Sequence, residues 1–278
     1  NKSNKRTAIS TSPLLNQRAA KSSSKPAGIA PPGKVWHEGH GHWHDAPNRR
    51  SITPQKVGDN EIGKLSITEQ KDLMSISEKL AELNVKRFQS FKMNPTGNEA
   101  LPAVFSFAGD TYTGLEARSL ENDELNFAQD HLRILSGLYG ILKPFDSIQP
   151  YRLEMGSKLN TKQSNSLYEF WGSKLSFELN EHAKKINSNT LINCASQEYF
   201  GAIDKGTLKL KIITPVFLEN KENGPKIVSF FAKRARGAMA RFIIQNRLTN
   251  REHLSDFDIG GYKYQKKLSS EDRPVFHR

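Results

Sequence analysis

The segment from Phe230 to Leu248 constrains the fold and surface of this chain most, because apolar and basic residues alternate in it with helical spacing. Residues 226–251 contain seven Lys or Arg and neither Asp nor Glu. An apolar, strand-like run ends at Ala232, and a helical pattern follows it. A helix start presents unpaired N–H groups and partial positive charge, which favour an anion over further cations. The segment is therefore consistent with a phosphate site, and equally with a solvated basic face.

Within this predicted helix the apolar residues share one arc and the cations lie opposite, at about 100° per residue. The arc contains Ala235, Ala238, Met239, Phe242 and Ile243, and the other side contains Lys233, Arg234, Arg236, Arg241 and Arg247. Ile244 and Leu248 break the arc. Gly237 lowers helix propensity by about 1 kcal/mol relative to Ala. A glycine here indicates the close approach of another backbone or of a phosphate.

Composition limits the classes of function. The 278 residues are enough for one large or two small domains, and the net charge is +12. Residues 1–60 contain ten Lys or Arg and three Asp or Glu, a net charge of +7. Residues 61–278 contain 31 Lys or Arg and 26 Asp or Glu, a net charge of +5. Affinity of the folded part for nucleic acid must therefore come from local clustering of charge. No apolar stretch approaches the ~18 residues of a membrane helix, so we expect no membrane partner.

Residues 1–60 are predicted to be a disordered basic leader outside the fold of residues 61–278, because Lys, Ser, Ala and Pro dominate without apolar periodicity. An acid-poor, Ser-rich composition is also typical of an organelle transit peptide, although the Pro-Pro-Gly run at 31–33 disfavours an amphipathic helix. Four histidines could bind a divalent metal: His37, His40, His42 and His44. Glycines between them leave the rings without fixed orientation, so a linker is the preferred interpretation.

The folded part is predicted to begin near Lys64, with helices at three places. Ser66 and Glu69 match a capping box, and Asn122 matches the cap of a helix that stops at Gly137. A third helix is predicted over residues 166–186 from its apolar spacing.

Strands are predicted over residues 101–107 and 190–195, with an edge strand at 261–268. Residues 208–219 and 226–232 are predicted to form a hairpin, because Asn-Gly ends the short loop between them. The predicted fold class is α/β, with a mixed sheet that includes this antiparallel hairpin and with helices packed on it.

A second candidate site runs from Arg133 to Pro144. A predicted helix leads into Gly-Leu-Tyr-Gly, and a lysine follows. Paired glycines of this kind are typical of a helix-hairpin-helix, whose N–H groups contact a DNA phosphate and position it without reading sequence. The residues expected at such a contact are Arg133, Ser136, Gly137, Gly140 and Lys143. The alternative is an ordinary helix C-cap and turn.

No catalytic constellation stands out. Cys194 could act as a nucleophile with His131, His182 or His253 as its base, but a cysteine in an apolar strand is more typical of a small core residue. Asp110, Glu116 and Glu154 lack paired spacing. The sequence contains no phosphate-binding loop, dinucleotide fingerprint or zinc-protease motif. We therefore predict no catalytic residue, no cofactor and no metal, and favour a binding protein over an enzyme.

Six blocks resemble the YaaA family of bacterial peroxide-stress proteins. They are FAGDTYTGLEA (107–117), HLRILSGLYGILKPFDSIQPYRLEMG (131–156), LYEFWG (167–172), INCASQEYF (192–200), ITPVFLE (213–219) and SFFAKRARGAMARFIIQNRL (229–248). The resemblance implies a cytoplasmic protein, induced by hydrogen peroxide, that limits free iron and oxidative DNA damage. It also implies a mixed α/β fold with a helix-hairpin-helix-like element, and a positively charged cleft that binds DNA without sequence preference.

The family's site residues transfer by position. The hairpin corresponds to residues 136–140 with Arg133 and Lys143, and the cleft to Lys233, Arg234, Arg236 and Arg241. The chain differs at its start, where the family has an apolar strand leading into Ser-Pro-Ala-Lys. The nearest string here is Thr-Ser-Pro-Leu at 11–14, which lacks the lysine, so any site built on that lysine is in doubt.

The expected function is that of a DNA-binding stress protein whose two basic clusters converge on one cleft. An enzyme acting on a nucleotide or nucleic acid in the same cleft is the first alternative. Direct sequestration of a metal is the second.

Overall fold

The computed structural model describes residues 61–92, 95, 99–161 and 164–278, and the backbone of residues 34–37 and 42–45. Strands β1 (Lys34–His37) and β2 (His42–Asp45) pair antiparallel, with His37 opposite His42. This hairpin differs from the prediction, which gives residues 1–60 no regular structure. The other residues of that segment, His40 among them, and the four imidazoles lie outside the described part, so the metal-site hypothesis stays untested.

Helices are the main regular structure of the described residues. They are α1 (Glu61–Lys64), α2 (Ile67–Met74), α3 (Glu78–Gln89), α4 (Ala103–Ser106), α5 (Asp110–Leu115), α6 (Asn122–His131), α7 (Leu167–Trp171), α8 (Lys174–Lys185), α9 (Gln197–Phe200) and α10 (Ser229–Gln245). One short 3₁₀ segment, Ala117–Ser119, lies between α5 and α6. Three more lie after α10, at Arg251–Asp256, Ile259–Gly261 and Lys266–Leu268.

The predicted capping box is confirmed at α2. The Ser66 side chain accepts a hydrogen bond from the Glu69 backbone, and the Glu69 carboxylate accepts one from Ser66 N at 2.8 Å. Helix α6 begins one residue earlier than predicted, since Asn122 is its first residue and Glu121 is its N-cap residue. It ends at His131, well before Gly137, because Leu132 already has an extended backbone.

The strands form small separate sheets. They are β3 (Leu101–Pro102), β4 (Ile134–Ser136), β5 (Gly140–Leu142), β6 (Ser147–Ile148), β7 (Thr190–Ile192), β8 (Lys211–Ile213), β9 (Val216–Leu218), β10 (Lys263–Tyr264) and β11 (Val275–His277). The pairs β3–β6 and β4–β5 are antiparallel, and β7–β8 is parallel. The sheet β10–β11–β9 is mixed, since β11 runs antiparallel to β10 and parallel to β9. The α/β class is confirmed, although the strands are divided among several sheets.

Two long predicted elements are interrupted. Only Leu101 and Pro102 of the predicted 101–107 strand are extended, and α4 follows at once, with Ala103 N donating to Asp146 O at 2.9 Å. The predicted 166–186 helix is split between α7 and α8 at Gly172, whose φ of 48° ends the first helix. The apolar spacing continues across both breaks, so it could not reveal either of them.

The predicted hairpin of 208–219 with 226–232 is wrong. Strands β8 and β9 pair with β7 and β11, and the two predicted strands meet only at an isolated bridge between Glu219 and Lys226. Helix α10 already begins at Ser229. The cations 233–236 therefore lie in the second turn of α10 and not at its start. A short apolar run does not distinguish a strand from a buried helical turn, which explains the error.

Helix α10 lies between two hydrophobic clusters. Ala235 and Met239 are buried in the smaller cluster, formed around Phe257 and Phe276, and the rest of the predicted arc packs against it. Ile244 is buried in the larger cluster, formed around Trp171 and Phe145. Ile244 breaks the single apolar arc because α10 contacts a second core on another side.

A close crossing of two helix backbones fixes α10 against α5. A Cβ on Gly237 would lie 1.8 Å from the carbonyl oxygen of Thr111, and one on Gly114 would lie 2.0 Å from that of Arg234. Neither distance is possible for real atoms, so both positions require glycine here. The close approach predicted at Gly237 is thus confirmed, and its partner is a helix.

We expect Gly237→Ala to destabilise the protein by about 2–3 kcal/mol in urea unfolding, because the added methyl group must separate the two helices. Helix propensity alone predicts the opposite sign, since Ala is favoured over Gly by about 1 kcal/mol. The control is Gly206→Ala, where the nearest atom is Asp204 Oδ1 on an exposed side chain, 3.3 Å away. Equal or greater stability of Gly237→Ala would contradict the crossing.

Candidate functional site

A large cavity lies beside the crossing of α5 and α10. Its volume is about 1450 Å³. Five segments contribute to its walls. They are residues 107–112, residues 131–135, the C-terminal part of α8, β7 with residues 193–200, and α10. Residues about a hundred positions apart in the chain therefore face one space.

The α10 wall contributes two cations, Lys233 and Arg236. Lys233 is exposed, and Arg236 is half-buried. The Nε atom of Arg236 is buried without a hydrogen-bond partner, and within the described residues neither side chain forms an ion pair. Burial lowers the pKa of Arg236. A guanidinium held in this way attracts an anion into the cavity.

Arg133 contributes a cation at another wall, but this one has protein partners. Its Nη1 donates to Gln129 O at 3.0 Å, and its Nη2 donates to His182 Nδ1 at 2.7 Å. The same Nη2 lies 2.8 Å from His182 Nε2, which is also 2.7 Å from Asp130 O. Because a guanidinium can only donate, one ring nitrogen of His182 accepts from Arg133 and the imidazole is neutral. A neutral imidazole does not cancel the charge of Arg133.

Burial, and then the charge of Arg133, lowers the pKa of His182 to about 4. Lys143 acts on His182 in the same direction, which places its charge near Arg133, although Lys143 itself does not line the cavity. Arg133 from one predicted basic cluster and Lys233 and Arg236 from the other thus line the same cavity, at different walls.

The Gly-Leu-Tyr-Gly segment has a different role from the expected helix-hairpin-helix. Residues 134–142 form the β4–β5 hairpin, and Gly137 to Gly140 are all buried. Ser136 Oγ accepts from Tyr139 N at 2.8 Å and contacts the Tyr151 hydroxyl at 2.5 Å. Gly140 has φ 76°, and a Cβ there would lie 2.7 Å from the Trp171 ring. This turn is packed into the core and offers no exposed N–H groups to a phosphate.

Arg241 also differs from its expected role. Its Nη1 donates to the carbonyl oxygens of Leu115 and Glu116, at 3.1 and 2.9 Å, and so caps the end of α5. Arg234 is exposed beside the cavity and, within the described residues, has no ion-pair partner. Of the four cations predicted for the cleft, Lys233 and Arg236 line the cavity, Arg234 does not, and Arg241 supports the fold.

Cys194 lines the cavity close to Arg236, but burial raises the pKa of its thiol to about 12. The favourable charge of Arg236 is the smaller effect. The thiol is therefore neutral near pH 7 and is a poor nucleophile. This agrees with the interpretation of Cys194 as a core residue.

Three carboxylates also line the cavity: Asp110, Glu154 and Glu198. Glu154 pairs with Arg152 at 2.5 Å, and Glu198 accepts from Gly156 N at 2.9 Å. The sequence did not predict that Asp110 lines this cavity or that His182 contacts Arg133, because only the fold brings these segments together. Among the described residues, no group of three or more His, Cys, Asp or Glu side chains could hold a metal ion, and no helix is long and apolar enough to cross a membrane.

Comparison with known proteins gives the family. The model described as "Peroxide stress protein YaaA" matches residues 48–268, which is most of the chain. The chain belongs to the YaaA family. The match includes the cavity-lining segments and the α5–α10 crossing.

Relatives within the YaaA family are similar over most of their length. A UPF0246 protein from Ruegeria pomeroyi is 58% identical over 214 residues, which cover 77% of this chain and 84% of that protein. A UPF0246 protein from Roseobacter denitrificans is 57% identical, over 77% of this chain and 83% of that protein. A UPF0246 protein from Dinoroseobacter shibae is 55% identical, over 77% of this chain and 80% of that protein. The family match therefore covers the described elements from α1 to the 3₁₀ segment Lys266–Leu268.

We expect the His182 imidazole to stay neutral down to about pH 4 in an NMR titration of its ring protons. Because the unfolded state binds this proton nearer pH 6.5, His182 should lower stability progressively as the pH falls from about 6.5 to 4. Arg133→Gln should raise the pKa, since it removes the neighbouring charge. A wild-type midpoint near 6.5 would contradict the arrangement.

Proposed function

We propose that this YaaA-family protein binds DNA through its phosphate backbone, as part of the response to peroxide. The observation that supports this most directly is the set of three cations on α10, Lys233, Arg234 and Arg236, which have no ion-pair partner among the described residues. They lie beside or within a cavity that also contains Arg133. Charge that the protein leaves unneutralised is available to a polyanion.

Local charge, and not total charge, supports the proposal. Two other cations at the cavity, Lys211 and Arg251, share the single carboxylate of Glu271, at 2.7 and 2.8 Å, so half of their charge is neutralised. Glu154 is likewise neutralised by Arg152. Among the described residues, the cations without an ion-pair partner on α10 are thus concentrated on its second turn, where one strand of phosphates could follow them.

These contacts do not distinguish between bases. Lysine and arginine side chains that reach phosphate oxygens position a protein on DNA but carry no sequence information. We therefore propose binding without sequence preference. The buried Gly-Leu-Tyr-Gly turn takes no part in this contact, and Ser136, Gly137 and Gly140 act by shaping the core beneath it.

The biological role follows from the family. Its description as a peroxide stress protein supports a role in protecting DNA from oxidation. We propose that the protein acts in the cytoplasm and limits free iron and oxidative DNA damage, as the resemblance implies. Binding at the DNA backbone would place it where that damage occurs.

The alternative function, an enzyme acting on a nucleotide or nucleic acid, draws on the depth of the same cavity. The unpaired Asp110 carboxylate and the half-buried Arg236 are the groups that favour it. The neutral Cys194 thiol and the lack of a second unpaired carboxylate beside Asp110 disfavour it in the part of the chain described.

A duplex-DNA titration monitored by fluorescence anisotropy tests the proposed function. Each phosphate contact contributes about −0.9 to the slope of log K against log salt. Three contacts from Lys233, Arg234 and Arg236 therefore predict a slope near −3. The double variant Lys233→Ala/Arg234→Ala should reduce the slope by about 2 and weaken binding equally for unrelated sequences.

The matched control is Lys79→Ala/Lys86→Ala, which removes the same charge from the exposed face of α3, an element absent from the cavity walls. It should leave the slope unchanged. Equal losses in both double variants would show that total charge, and not the α10 surface, attracts DNA. Salt-independent binding would exclude the proposal altogether.

A further inference from the structure

We propose that the cavity contains a binding site for a single nucleotide, with Arg236 holding the phosphate and the aromatic wall at Phe107 and Tyr112 holding the base. The inference names a ligand for the interior of the cavity. It goes beyond the proposed DNA-backbone contact, to which Arg236 also contributes, because it assigns a site for the base as well. It stands even if Lys233 and Arg234 do not bind DNA.

Arg236 is the first observation. Its Nε is shielded from solvent and lacks a hydrogen-bond partner, which is unfavourable for a charged group. Cys194, whose thiol is neutral, acts on its pKa, and in the part of the chain that the structure describes no carboxylate forms an ion pair with it. A phosphate accepts two parallel hydrogen bonds from a guanidinium and would supply the partner that the protein omits.

Arg236 is also fixed in position. The next residue, Gly237, forms the backbone crossing with Thr111, and the preceding Ala235 is buried in the smaller core. The helix cannot rotate to carry the guanidinium into solvent without breaking both contacts. The fixed backbone limits how far the Arg236 side chain can move, which reduces the entropy lost on binding.

The aromatic wall is the second observation. Phe107 and Tyr112 stack with ring centroids 5.3 Å apart, and both line the cavity. Tyr112 follows Thr111, the residue in backbone contact with Gly237, and both rings line the same cavity as Arg236. Aromatic rings beside a cation are a common platform for nucleobases.

Volume is the third observation. Pockets for small molecules usually occupy about 300–1,000 Å³, and this cavity, at about 1450 Å³, is larger. A nucleotide fits such a space together with ordered water. Both a free nucleotide and a nucleotide unit of DNA carry the required phosphate and planar base, so the chemistry is shared and the test must separate the two sources.

The test compares deoxyadenosine 5′-monophosphate, deoxyadenosine and inorganic phosphate as ligands in thermal-shift and calorimetric titrations of the full chain. We expect the nucleotide to raise the melting temperature more than either fragment at equal concentration. Arg236→Met should weaken nucleotide binding at least about tenfold, because it removes charge-assisted hydrogen bonds. Arg236→Lys should recover part of the affinity.

Two readouts exclude a purely structural role. The melting temperature of ligand-free Arg236→Met should equal or exceed that of the wild type, because an unpartnered charge is removed. Arg234→Ala, at a residue that does not line the cavity, should keep nucleotide binding while DNA binding weakens, which separates this site from the proposed function. Competition of the nucleotide with DNA would identify a DNA unit as the source, and binding without competition a free nucleotide.

Several results would overturn the inference. They are the lack of a nucleotide-dependent shift at millimolar ligand, equal shifts in the wild type and Arg236→Met, or a clear loss of stability in ligand-free Arg236→Met. The last result would mean that the guanidinium supports the fold.

Discussion

The contact on which this structure depends is the backbone crossing of α5 and α10 at Gly114 and Gly237. No side chain separates the helices there, so the position of α10 is set by main-chain atoms. The crossing also fixes residues 107–112 as one wall of the cavity and α10 as another. Fold and candidate site therefore depend on the same two glycines, and a change at either would alter both.

The position of α10 between two hydrophobic clusters explains its charge pattern. One side packs against the smaller core through Ala235 and Met239, and another against the larger core through Ile244. Only the remaining surface can carry cations. That surface faces solvent at Lys233 and Arg234 and turns into the cavity at Arg236. The half-buried guanidinium thus results from a helix that is enclosed on two sides.

Local signals in the sequence predicted local structure well. The capping box of Ser66, the start of α6 and the apolar arc of α10 follow from hydrogen-bonding and periodicity rules that act over a few residues. The hairpin at 226–232 was wrong, because a short apolar run fits a strand and a helical turn equally. The pairing of β9 with β11 joins residues about sixty positions apart, and no local rule specifies it.

The candidate site shows the same limit. The cations were identified from their clustering, but their roles depend on partners that only the fold supplies. Arg133 and Arg241 donate to backbone carbonyls and, for Arg133, to His182, so part of their work is to hold neighbouring segments in place. Arg236 donates through its Nε to nothing in the described protein. An arginine in such a cluster can therefore either stabilise the fold or bind a ligand. The presence or absence of a hydrogen-bond acceptor from the protein distinguishes these two roles.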